Sequence, residues 1–396
     1  MQPRSTKLFD RLKTVSVYGL GQSIPILAQL AISLVVIKQH SVALWGEYVE
    51  LLLWVNFLAL FSYFGNKTFL LKTFSETPAN IYSPWLSNFV TRGLLFILTG
   101  TLIFAVPIFA EHRLLILLWA FLLFYNQSFE ILILYQRDFK FNFITELTRN
   151  AIVLLSILFF TGAFNLKTLL YLIIGGLFIK SIFYSAFYFR NIKYTTISLD
   201  VKSLKNSIPF FIPMVLGTIR TKIDSYYGTI YFTKTDLSQY QIFIGLVTLI
   251  QMGASYSINP FLKTFYRISN QTRDRIEKQF YGIGIASGIL FIGVIYLVIE
   301  YLYDFRFSAS SYLLAYLFIA TLFVHLVLIN QFYKENKQMQ VAVIIATTAA
   351  MQIVLGYFVI KTHQIEGALA IKTIGQWAMI IALLFLRKKI VKAIPS

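Results

Sequence analysis

Arg220, Lys222 and Asp224 lie within five positions of one another inside an otherwise apolar stretch, 205–232. Arg220 is about 15 residues from its start, roughly 22 Å along a helix at 1.5 Å per residue. Charged side chains that deep in an apolar helix are expensive, and they tend to face a water-filled cavity or a partner. Arg220 and Asp224, at i and i+4, share a helix face, and Lys222 points elsewhere. Two readings stand: lining of a cavity, or a structural charge network. Lys180 and Lys372 also fall near the middle of apolar stretches, with Ser181 and Tyr184, or Gln376, close on the same face. Arg92 and Arg149 lie nearer the ends of theirs, so they either line the cavity or snorkel to headgroups. Arg149 shares a face with Glu146 and Asn150, which also allows a local ion pair. Polar residues repeat at helical spacing: Gln22, Gln29 and Ser33; Gln251, Ser255 and Asn259 ahead of Pro260; Asn126 and Glu130. Hydrogen bonds between helices are the plainer account of such stripes. Asp224 and Glu130 are the candidate charge partners, or the groups that would couple transport to Na+ or H+. These residue types suit holding and moving a ligand. Covalent chemistry has no motif here: there is no phosphate-cradling glycine loop, no HExxH and no GxSxG. The sequence reads as a non-enzyme with no cofactor.

The elements that must position these residues follow from composition. At 57% apolar and 13% charged, with mean hydropathy +0.69, the 396 residues exclude an ordinary soluble domain. Apolar runs of bilayer length are expected at 15–37, 43–64, 85–109, 114–136, 144–164, 167–189, 205–232, 237–262, 280–303, 309–332, 340–361 and 364–386. The first is too long for a signal-peptide core, and no small-residue cleavage site follows it, so it is expected to be retained. With the N-terminus inside, the inner loops carry 23 Lys and Arg and the outer loops 6. That bias places both termini in the cytoplasm. It also accounts for the net charge of +18 as topology, so no nucleic-acid partner is expected. Zero cysteines exclude disulfides and thiolate metal sites, and the four histidines show no metal-ligand spacing.

The chain also repeats. Leu12-Lys13 recurs as Leu204-Lys205 and Tyr48 as Tyr240, both 192 residues on; Leu71-Lys72-Thr73-Phe74 recurs as Leu262-Lys263-Thr264-Phe265, 191 residues on. The expected architecture is an all-α polytopic membrane protein of about 12 transmembrane helices in two six-helix halves, 1–194 and 195–396. Six spans per half make the repeat parallel, an arrangement found in transporters.

Several short features carry a family resemblance. Trp45-Gly46-Glu47-Tyr48 opens the second span and Phe64-Gly65 ends it; Leu204-Lys205 through Ile208-Pro209, Pro213 and Asp224 open the second half; Asn259-Pro260-Phe261 ends the eighth span. Together they resemble the polysaccharide (O-antigen and capsule) flippases of the multidrug/oligosaccharidyl-lipid/polysaccharide exporter superfamily. That resemblance implies two bundles around a central cavity in the bacterial cell membrane, the inner membrane of a Gram-negative cell. It further implies undecaprenyl-diphosphate-linked oligosaccharide as cargo, moved by alternating access, with a polysaccharide polymerase as a partner. Basic groups in a low-dielectric cavity attract a lipid diphosphate. Arg220, Lys222, Lys180, Lys372, Arg149 and Arg92 are the candidates for that field, and the 24 tyrosines and the Asn/Gln stripes suit sugar hydroxyls.

The nearest rival is a cation-coupled multidrug exporter of the same superfamily, whose cationic cargo sits badly with basic residues. A lipid II flippase would usually carry two more helices. A glycan polymerase or ligase predicts a long outer loop, whereas the outer connections here are short. A sugar transporter of the major facilitator type predicts a glycine-and-arginine signature that Asn66–Ser75 lacks.

Overall fold

The structure, a computed structural model, describes residues 4–76, 78–192, 199–258, 270–335 and 337–393, and among them the chain is helical with no strand. It divides into two compact units, Met1–Val215 and Leu216–Ser396. The first holds α1 (Arg4–Gln39), α2 (Val42–Tyr63), α3 (Asn66–Glu76), α4 (Tyr82–Ala105), α5 (Arg113–Gln136), α6 (Phe139–Leu158), α7 (Leu166–Ile192) and the opening of α8 (Val201–Tyr231). The second holds the rest of α8, α9 (Lys234–Ile258), α10 (Asn270–Leu297), α11 (Ala309–Lys334) and α12 (Gln338–Ala393).

Among the described residues, 8 helices are long and apolar enough to cross a membrane. One of them, Gln338–Lys388, is 51 residues long, far beyond the roughly 20 that one crossing needs. It is broken at Gln364, where φ is 44° and ψ −120°, into arms 338–363 and 365–393. The arms pack closely because Gly367 and Gly375 have no side chain. A Cβ at Gly367 would strike the Val359 carbonyl, and one at Gly375 would strike the Gln352 amide. α8 and α9 are long but more polar, and α8 carries Arg220, Lys222 and Asp224. α1 and α8 run unbroken through Pro25 and through Pro209 and Pro213.

Helix boundaries have local causes. Ser41 caps α2 by accepting the Leu44 N–H at 3.0 Å. The Oδ1 of Asp200 accepts the Ser203 N–H at 3.1 Å at the start of α8. α2 ends at Phe64 and Gly65, both left-handed, with φ of 46° and 69°. A Cβ on Gly65 would lie 2.7 Å from the backbone nitrogen of Phe211, whose ring stacks on Phe64 at 4.3 Å. Only glycine admits that approach.

The connection after α2, expected to be a plain cytoplasmic loop, folds instead as the amphipathic helix α3. Leu70 and Phe74 are buried against Ile131, Leu132 and Ile133 of α5 and Tyr184 and Tyr188 of α7. The repeat landmark Leu71–Phe74 lies on it, and its counterpart Leu262–Phe265 lies outside the described residues. In the second unit the core is built from Val324, Leu328 and Phe332 of α11 against Met379, Ile380 and Leu383 of the second α12 arm.

Candidate functional site

Each unit contains its own polar pocket. In the second unit a cavity of ≈ 290 Å³ is lined by Arg220, Thr221 and Lys222 of α8, Thr248, Gln251 and Met252 of α9, Phe318 of α11, and Gln352, Lys372 and Gln376 of α12. Arg220 donates to Gln376 Oε1 at 2.6 Å. Lys372 pairs with Asp224 at 3.2 Å, donates to the Thr221 carbonyl at 2.9 Å and sits 5.9 Å over the Phe318 ring. Asp224 is fully buried behind the pocket, where it also accepts from the Tyr240 hydroxyl. Among the described residues, the Lys222 ammonium makes no hydrogen bond and no ion pair. Arg220 Nε, Gln352 Oε1 and Gln376 Nε2 are likewise buried without a partner. Three cations thus face one cavity, and the single carboxylate beside them is occupied by one of the three. Burying like charges together costs energy, which an anionic ligand would offset.

Lys222 was expected to point away from the Arg220 face, yet both line this cavity. The pocket wraps α8 from the α9 side round to α12, and the four-carbon stem of lysine reaches round the helix.

The first unit differs in charge. Its cavity, ≈ 240 Å³, is lined by Pro25, Gln29 and Ile32 of α1, by Trp45, Tyr48 and Leu52 of α2, by Trp119, Leu123, Asn126, Gln127 and Glu130 of α5, by Glu146, Arg149 and Asn150 of α6, and by Ile173, Leu177 and Lys180 of α7. Lys180 pairs with Glu146 at 2.5 Å and Glu130 at 3.3 Å, and Arg149 pairs with Glu146 at 3.2 Å. Two cations meet two carboxylates, so this cavity is electrically balanced. A Cβ at Gly176 would strike Val153 Cγ2, so glycine there lets α7 pack closely on α6.

Arg92 lies outside both cavities. Its guanidinium, 1% exposed, donates to Asn88 at 2.8 Å, Ser128 at 3.0 Å and the Ser62 carbonyl at 3.4 Å, and lies 5.2 Å over Phe124. It crosslinks α2, α4 and α5 and does not reach headgroups by snorkelling.

The structure therefore gathers Arg220, Lys222, Lys372 and Gln251 into one pocket with Asp224 behind it. It gathers Lys180, Arg149, Glu130 and Gln29 into another. The side chains of Gln22 and Ser255, and the whole of Asn259, lie outside the described residues. Glu146 was noted only as a neighbour of Arg149, but it holds two cations at once. Gln352 and Gln127 escaped notice; the available signal was a glutamine inside an apolar run at 352 and one adjoining Asn126 at 127. The spacing of the expected repeat also relates residues of the two sites. Lys180 and Lys372 are 192 residues apart, as are Tyr48, in the first pocket, and Tyr240, beside Asp224.

By sequence, the chain matches no protein-family profile and no curated protein. In three dimensions it is similar to the lipid II flippase MurJ in an inward closed conformation, with TM-score 0.69 and 14% identity over 94% of this chain and 87% of that one. It is also similar to a multidrug resistance MATE family transporter of the MOP superfamily. In the outward-facing conformation of that protein the TM-score is 0.65 at 14% identity, covering 96% of this chain and 95% of that one. In the inward-facing conformation the TM-score is 0.66 at 13% identity, again covering 96% and 95%. Likeness at this level of identity establishes the fold. The chain is a multi-pass membrane protein with the fold that these MOP-superfamily transporters and flippases share.

Proposed function

We propose that this protein is a flippase that moves undecaprenyl-diphosphate-linked oligosaccharide from the cytoplasmic to the outer leaflet by alternating access, for surface polysaccharide synthesis. The observation that carries the reading is the charge of the second unit's pocket. Arg220, Lys222 and Lys372 converge on one cavity in which Lys222 is unpaired among the described residues and buried donors remain open. A diphosphate is the ligand such a space accommodates, because it brings several acceptor oxygens and the opposite charge into a low dielectric. Likeness of fold to a lipid II flippase supports a lipid-linked cargo of the same general kind.

The proposal includes twelve spans, with both termini in the cytoplasm and halves 1–194 and 195–396 rocking about the cargo. Lys180 and Arg149 belong to the cargo path in this reading, while Arg92 braces it. A polysaccharide polymerase would receive the product at the outer face of a bacterial cell membrane. The fold likeness to multidrug resistance transporters favours a second reading, a cation-coupled drug exporter. A pocket with three cations around one occupied carboxylate disfavours a cationic drug, which supports the flippase reading.

Mass spectrometry of lipid extracts from cells lacking the gene decides between the two. Accumulation of an undecaprenyl-diphosphate oligosaccharide, with loss of the matching surface polymer, is the expected result. An unchanged lipid profile together with new sensitivity to cationic drugs would replace the flippase by the exporter.

A further inference from the structure

We infer that the cavity of the first unit is a carbohydrate subsite, in which Gln127 and Arg149 together bind a hydroxyl group of an uncharged sugar. The presence of a sugar rests on the flippase reading; the chemistry of the cavity stands without it.

Its charges are already matched. Glu146 and Glu130 hold Lys180, and Glu146 also holds Arg149. An anion would find no free cation there and a cation no free carboxylate. Several of its amide groups are engaged as well. Asn126 donates to the Leu177 carbonyl at 3.2 Å and accepts from Ser181 at 3.2 Å, and Asn150 donates to the Glu146 carbonyl at 2.7 Å. Two buried atoms are left over, the acceptor Gln127 Oε1 and the donor Arg149 Nε, both without a partner.

That leftover pair selects the ligand. A group that satisfies both must donate one hydrogen bond and accept another. A hydroxyl does both, whereas a phosphate oxygen only accepts and an ammonium only donates. Trp45, Tyr48 and Trp119 supply apolar ring faces, with Tyr48 and Trp119 stacked at 5.6 Å, as the carbon-bound hydrogens of a sugar ring require. Gln29 and Glu130, the exposed residues of the lining, mark the entrance. At ≈ 240 Å³ the cavity has room for one sugar ring. Ordered water also donates and accepts, and it is the occupant a binding experiment must exclude.

Purified full-length protein in detergent is titrated with methyl glycosides of neutral hexoses, read by intrinsic fluorescence. Trp45→Phe and Trp119→Phe assign the signal to the cavity. Inorganic pyrophosphate is titrated separately as a readout of the second unit. A saturable change is expected, weakened about tenfold or more by Gln127→Leu. Arg149→Lys, which keeps the charge on Glu146 but lacks the Nε–H, is expected to do the same, so the proposal survives should one variant fail to fold. Pyrophosphate affinity is expected to stay within about twofold in both. Pyrophosphate binding with no saturable response to any glycoside overturns the subsite and leaves water as the occupant. Saturation of the same signal by tetraphenylphosphonium overturns it in favour of a cation site. Glycoside binding without pyrophosphate binding refutes the diphosphate reading and leaves the sugar subsite standing.

Discussion

Replacing Lys222 by methionine separates ligand attraction from structural pairing. Arg220 is tied to Gln376 at 2.6 Å and Lys372 to Asp224 at 3.2 Å, so truncating either one breaks a bond within the protein. Lys222 lines the same cavity, and its ammonium is unpaired among the described residues. Methionine keeps most of the stem's volume and removes the charge, with its desolvation cost, its repulsion of Lys372 and its attraction to Asp224. The unliganded protein should therefore melt at the same temperature or higher. The bound state responds differently. Unit charges about 4 Å apart attract by about 4 kcal/mol at an effective dielectric constant of about 20. Part of that is offset by desolvating the phosphate, and hydrogen bonds to charged groups contribute about 1.5–3 kcal/mol net. At 1.4 kcal/mol per decade, affinity for inorganic pyrophosphate should fall roughly 10- to 150-fold. Because Lys222 is partly buried, salt should screen that loss less than it would for a surface pair. Isothermal titration of the purified protein with pyrophosphate, alongside a thermal melt of the same samples, measures both quantities. Affinity unchanged within about twofold, or a melting temperature several degrees lower, would refute the assignment of Lys222 as a free anion-binding cation.

Glu146→Gln leaves Lys180 and Arg149 with only Glu130. Stability should fall by about 3–5 kcal/mol, and titration should reveal a second, weaker pyrophosphate site in the newly positive first cavity. Asp224→Asn strips the counter-charge from Lys372 and should lower the melting temperature by a similar energy, with pyrophosphate affinity maintained or increased. Arg92→Lys forfeits the fork to Asn88, Ser62 and Ser128, and should destabilise by about 1–3 kcal/mol in thermal melts while leaving pyrophosphate affinity unaltered. Gly65→Ala places a Cβ 2.7 Å from the Phe211 nitrogen at φ of 69°, and should reduce stability by at least about 1–3 kcal/mol, read as lost folded yield and a lower melt.

What the sequence disclosed divides by the range of the interactions. Apolar runs are local, and they located α2 at Val42–Tyr63 against an expected 43–64, and α5 at Arg113–Gln136 against 114–136. α3 escaped because 11 residues with an amphipathic pattern are too short and too polar to count as a span, although their apolar side is buried on α5 and α7. The charged candidates were recognisable as buried charges, and so was the one partner within a helix turn, Glu146 for Arg149, but the distant partners were not. Lys180 meets a carboxylate 50 residues away and Lys372 one 148 residues away, and helix periodicity carries no information about contacts at that separation. Arg92 illustrates the limit in the other direction. Its position near a helix end is what snorkelling requires, and only the packing of α2 and α5 around it makes it an internal crosslink.

The repeat gives these differences a common frame. At corresponding positions, 192 residues apart, both halves carry the lysine of the pocket, Lys180 or Lys372, and a tyrosine near it, Tyr48 or Tyr240. The charges around that shared pair do not correspond. Glu130 and Glu146 align with Leu322 and Gln338, while Arg220, Lys222 and Asp224 align with Ala28, Leu30 and Ile32. On the repeat read from the sequence, corresponding positions thus hold a lysine in two opposite environments. The first half neutralises it with two acids and lines the space with amides and aromatic rings. The second gives it a single acid and sets two further cations beside it. Two equivalent sites for one small ion would not call for such divergence. The proposed cargo, a lipid diphosphate that carries a glycan, has an anionic end and an uncharged, hydroxyl-rich end, and would call for it.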